Sequence, residues 1–153
     1  MAEFTATQIT GLTSSPKTKM PPYDHGQIKV LIGSSPAVAA WAQNDTFKIG
    51  VIPKGSRILR TSHFWHGAFG ASVTCDVGLR QTSDGTVIDA DGLCAGIDVS
   101  ASGIDQIKNG ALLKAVNGYV TTQDVDVYAT LGGANPTDDV RIEFEIYYLA
   151  PTA

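Results

Sequence analysis

Two histidines three positions apart, in His63-Phe64-Trp65-His66, are the first residues whose types and spacing could do chemistry. On a helix such a pair would share a face and could hold a metal ion. This segment is aromatic and reads as a strand, where residues i and i+3 point to opposite faces. Without a bulge the two rings cannot meet on one ion. The third histidine, His25, lies far upstream. The favoured reading is therefore a set of surface or interface aromatics, with Trp65 as a partner contact, because such side chains concentrate at interfaces.

Carboxylates are the second possibility. Asp84, Asp89 and Asp91 fall within eight positions, and Asp138-Asp139 form another pair. Calcium takes six or more oxygens, often from such loops. The spacing fails the D-x-[DN]-x-[DN]-G-x5-E pattern, because no glutamate stands at the required offset. Asp and Gly also populate turns for conformational reasons, and turn chemistry is the reading preferred here. A glycosidase needs only two carboxylates at the right separation, but nothing among fifteen acidic residues selects a pair. No G-x-S-x-G elbow is present, nor a Gly-rich phosphate loop ahead of Lys-Ser or Lys-Thr. Cys75 shares parity with Val73, Val77 and Leu79, which makes it a small buried hydrophobe rather than a poised nucleophile. Cys94 sits in Asp91-Gly92-Leu93-Cys94-Ala95-Gly96, which reads as a tight connection, and free thiols are expected in a reducing compartment. The expectation is a non-enzyme without catalytic residues, metal or cofactor.

The elements that must position these residues are strands. In Val140-Arg141-Ile142-Glu143-Phe144-Glu145-Ile146-Tyr147-Tyr148, apolar and polar residues alternate strictly, which gives one dry face and one wet face. Ser72 to Arg80 alternates likewise. So does Tyr119 to Leu131, with Val125, Val127, Ala129 and Leu131 inward and Asp124, Asp126, Tyr128 and Thr130 outward. Ile28 to Ile32 and Phe47 to Val51 read as strands, and Arg57 to His66 as one long strand. Ser83-Asp84-Gly85 is a hairpin connection into Thr86-Val87-Ile88. A short helix near Ile104 to Asn109, ended by Gly110, is the one helical expectation. Seven or eight strands at this spacing imply an all-β antiparallel β-sandwich or jelly roll, spanning residues 28–153.

Residues 1–27 differ. Pro16, Pro21 and Pro22 fall within them and Pro36 just beyond, with many Ser and Thr and no sustained period. The Pro21-Pro22 pair favours extended backbone, so the segment reads as an N-terminal arm. Its widely spaced Phe4, Ile9, Leu12 and Met20 are candidate partner contacts, together with Pro21 and Pro22. At 153 residues the chain is sized for a single domain with a substantial core. A net charge of −4 argues against a nucleic-acid partner. No apolar run approaches the roughly 20 residues that span a bilayer, and no membrane partner is expected. The N-terminus lacks the pattern of a signal peptide, so synthesis in a cytoplasm is expected.

The stretch Ile49-Gly50-Val51-Ile52-Pro53-Lys54-Gly55-Ser56-Arg57-Ile58-Leu59 is followed by Cys75-Asp76-Val77-Gly78-Leu79, Asp89-Ala90-Asp91-Gly92 and the closing Tyr147-Tyr148-Leu149. Across Ile49 to Leu149 this pattern resembles small virion proteins of tailed bacteriophages. The resemblance implies a capsid decoration, or cement, protein made in the host cytoplasm and placed on the capsid exterior. The major capsid protein would be its partner, and the chain would self-associate, as a trimer in preference to a dimer. The competing expectation is a glycan- or receptor-binding jelly roll of the fibre or lectin kind, which the same fold supports. Its sign would be exposed Trp41, Trp65 or Tyr residues beside polar neighbours.

Overall fold

A computed structural model describes residues 27–35, 42–114, 118–136 and 140–151. The arm residues Phe4, Ile9, Leu12, Met20, Pro21 and Pro22, together with His25, Trp41, Asp138 and Asp139, lie outside the described residues.

The described residues build a two-layer antiparallel β-sandwich. Its strands are β1 (Ile28–Ser34), β2 (Thr46–Ile52), β3 (Arg57–Ile58), β4 (His63–His66), β5 (Thr74–Gln81), β6 (Val87–Asp98), β7 (Gly103–Gln106), β8 (Tyr119–Val120), β9 (Val125–Gly132) and β10 (Ile142–Leu149). One short helix, α1 (Ala111–Lys114), follows Gly110. Sheet A runs β7-β4-β10-β3-β8, with β1 on the other edge of β10, and sheet B runs β2-β9-β5-β6. Ten strands replace the seven or eight expected, chiefly because short pieces count separately.

Strand β10 carries the alternation as expected. Ile142, Phe144 and Ile146 are buried, while Glu143 is exposed. Phe144 has no exposed surface and stacks on Phe64 at 5.3 Å and on Phe47 at 6.2 Å. Opposite it on β1 lies Gly33, where an added Cβ would meet the Ile49 side chain at 2.7 Å. Sheet A and sheet B close on each other there without room for another methyl.

Three expectations need correcting. Arg57 to His66 is not one strand but two, because a turn through Arg60 and Thr61 separates β3 from β4. Ser62 stabilises that break, since its hydroxyl donates to the Leu59 carbonyl and accepts the Tyr147 N–H. The segment near Ile104 is not helical. Ile104 and Gln106 alternate with Asp105 along β7, whose backbone pairs with β4, and the helix forms only beyond Gly110. Cys94 does not sit in a tight connection but in the middle of the twelve-residue β6, opposite Val77. Both cysteines are free and buried, and burial pushes both thiols up, Cys94 to about 12. Neither is a nucleophile at neutral pH.

The outward parity of β9 is wetter in sequence than in fact. Asp126 and Tyr128 point away from the core, yet are only 6% and 5% exposed. Strand β6 passes over Gly78, the ladder partner of Tyr128. Its register against β5 shifts between the pairs Val77–Cys94 and Leu79–Asp89, and the extra residues arch over Gly78. Asp126 accepts from Lys48 at 2.8 Å, Thr82 at 2.9 Å and Arg80 at 3.3 Å. The Arg80 guanidinium lies 5.2 Å over the Tyr128 ring.

Burial alone would raise the Asp126 carboxyl, but the bonds from Lys48, Thr82 and Arg80 outweigh it and hold the group below its usual range. Because the folded value is the lower one, its stabilisation is complete above about pH 3.9, the ordinary value for Asp. It is lost as pH falls through the folded value. We expect Asp126→Asn to be less stable than the parent at pH 7, with the difference shrinking on acidification toward pH 2. Parallel stability curves from pH 7 to pH 2 would show that the ion cluster contributes nothing.

Candidate protein-binding face

The histidines divide as a strand requires. His66 points into the core at 1% exposure, with Nδ1 3.0 Å from the Gly67 carbonyl oxygen and Nε2 3.0 Å from Asp105. Both ring nitrogens are thus engaged, Nδ1 within its own chain segment and Nε2 across to β7. His63 points the other way, onto the outer face of sheet A, where its Nε2 lies 3.4 Å from Glu145. Among the described residues no group of three or more His, Cys, Asp or Glu is placed to hold a metal. Asp84 follows turn chemistry, accepting the Thr86 N–H at 2.9 Å, whereas Asp89 and Asp91 lie within β6, where Asp89 accepts the Asp91 N–H at 3.3 Å.

The outer face of sheet A concentrates what a partner would recognise. Register places Ile104 of β7 opposite Trp65 of β4, Trp65 opposite Glu143 of β10, and Glu143 opposite Ser34 of β1. In the next row stand Gln106, His63, Glu145 and Ile32. Val30 and Ile28 continue the β1 stripe beside Tyr147 and Leu149. On β8, Val120 shares this parity through Arg57, which pairs with Leu149. Of the eight large apolar side chains exposed among the described residues, these six (Ile28, Val30, Ile32, Trp65, Ile104 and Val120) share one face; only Val51 and Val87 lie elsewhere. Scattered apolar residues on a surface need no explanation, whereas a concentration on one face makes that face the candidate interaction surface.

The middle of the face is polar. The Tyr147 hydroxyl donates to Glu145 at 2.7 Å, and the rings of His63 and Tyr147 stack at 5.8 Å. That bond to Glu145 raises the Tyr147 phenol, which keeps its proton. His63 and Glu145 are each more than a third exposed, so their ion pair adds little stability. A hydrogen-bonded phenol and a stacked aromatic pair suit binding by contact.

Of the expected contact residues, the structure places Trp65 on this face at 48% exposure. Ile28, Val30, Ile32, Ile104 and Val120, which share this candidate face, were not among the expected contacts. A signal was present in β1, since Leu31 is apolar on the opposite parity to Ile28, Val30 and Ile32. A strand apolar on both faces at a sheet edge must show one of them outward.

No family model matches the chain, and no curated protein matches it. Solved structures do. The chain is similar to one titled "Capsid of Ralstonia phage GP4", with TM-score 0.64 and 14% identity over 84% of this chain and 87% of that one. It is also similar to one titled "Cyanophage Pam1 capsid asymmetric unit", with TM-score 0.61 and 16% identity over 91% and 98%. At these identities what is shared is the fold, over nearly the whole length of both chains.

Proposed function

We propose that this chain is a non-enzymatic structural protein of a phage virion, which decorates the exterior of an icosahedral capsid and stabilises it by bridging capsomers. The carrying observation is the gathering of exposed apolar residues on one face of sheet A, in a fold shared with chains from two phage capsid structures. A shell is reinforced by added buried interface, and a rigid sandwich with a broad apolar-edged face supplies that. The major capsid protein is the partner, and the chain acts as a homo-oligomer, a trimer in preference to a dimer. Residues 1–27 serve as the arm that locks the protein to its neighbours through Phe4, Ile9, Leu12 and Met20, with Pro21-Pro22 limiting the entropy lost on docking.

The test uses capsid shells stripped of this protein. The full chain should co-sediment with them at saturable stoichiometry and run as a trimer by light scattering. Removing residues 1–27 should leave the sandwich folded and weaken binding by orders of magnitude. Absence of shell binding by the full chain would refute the proposal, and a monomer at micromolar concentration would refute the oligomer. The glycan-binding alternative draws on one observation, the half-exposed Trp65 beside the Glu143 carboxylate. Selective binding on a glycan array would favour it.

A further inference from the structure

We infer that the outer face of sheet A seats a cationic, apolar-edged patch of the shell protein, and that Glu143 is the group this patch must answer. The inference rests on the shell-binding reading and names the face and the partner chemistry for it.

Glu143 occupies the central strand of the face, with Trp65 across on one side and Ser34 on the other. Ile104 lies beyond Trp65, while Ile32 lies in the adjoining row. Docking centred on these residues would bury the Glu143 carboxylate. That carboxylate makes no hydrogen bond or ion pair with any described residue, and Arg141, two positions earlier on the same parity, does not reach it. Glu145 differs, because Tyr147 and His63 already attend it.

A carboxylate removed from water without a partner carries a large penalty, so an interface here requires donors from the other side. A guanidinium or ammonium group meets that demand, and the apolar edges exclude the water that would weaken the pair. A second copy docked face to face about a two-fold through Glu143 would set carboxylate against carboxylate. The complementary surface is therefore basic, and on the shell-binding reading it belongs to the shell protein.

The experiment measures co-sedimentation of the full chain and its variants with stripped shells, alongside light scattering of the free proteins. Glu143→Lys should weaken binding at least about thirtyfold, as expected for breaking a desolvated charge pair. Glu143→Gln should fall between it and the parent, and Trp65→Ala should also weaken binding. Val87→Lys, on the edge strand of sheet B, should bind like the parent. The variant sites are exposed, and unchanged thermal melts would confirm intact folds. If the parent binds and Glu143→Lys and Trp65→Ala bind equally well, this inference falls while shell binding stands. If Glu143→Lys instead changes the oligomeric state, the face is a self-interface and the inference also falls. If the parent itself does not bind, the shell reading fails and takes this inference with it.

Discussion

Phe144→Ala should lower the unfolding free energy by about 3–5 kcal/mol, the usual loss when a fully buried aromatic ring leaves a cavity. The site has little means of collapse. Phe64 and Phe47 flank the ring in two sheets, and Gly33 opposite offers no side chain that could swing in. The neighbouring Glu143→Ala, on the exposed parity, should change stability by less than about 0.5 kcal/mol. Urea unfolding of the pair reads the contrast directly. A loss below about 1 kcal/mol for Phe144→Ala would mean that β10 presents its other face to the core.

Gly78→Ala should be nearly as damaging although it adds one methyl group. An added Cβ would stand 2.2 Å from the Ala90 carbonyl oxygen and 2.5 Å from that of Asp89, and neither is the yielding end of a flexible side chain. To make room, the β6 arch must lift away from Gly78 beside Tyr128, which loosens the shifted pairing with β5. We expect a loss of about 3 kcal/mol, within the range known for overpacked sites. For a domain of this size that corresponds to a melting temperature lower by roughly 6–12 °C. A change under about 2 °C would show the arch to be soft.

What the sequence made legible was parity. The alternation in β9 and β10 assigns core and outer residues correctly, because each strand needs only its own period to do so. The places where reading failed depend on distant partners. Nothing local in Arg57 to His66 announces that Tyr147 will donate its N–H to Ser62 and hold a break there. Cys94 reads as part of a turn because Gly92 and Gly96 bracket it, yet the ladder with β5 keeps it in a strand. Ile104 looks like the start of a helix until β4 offers its edge. The candidate face was half legible for the same reason. Trp65 stands out by residue type, whereas Ile104, Glu143 and Ile32 become neighbours only through the pairing of β7, β4, β10 and β1.

That pairing also sets when the protein can fold. The first and last described strands are ladder partners, with Ile28 opposite Leu149 and Ser34 opposite Glu143. Closing this ladder brings together positions separated by nearly the whole described chain, so its entropy is spent before its contacts repay it. On a ribosome, β1 waits through the synthesis of every other strand before β10 arrives. Throughout that wait its Ile28, Val30, Leu31 and Ile32 stand unpaired, in a segment apolar on both sides. The nascent chain therefore carries this unpaired apolar strand from early in synthesis and pairs it last. Refolding should be slow for the domain's size, and yields should fall as protein concentration rises.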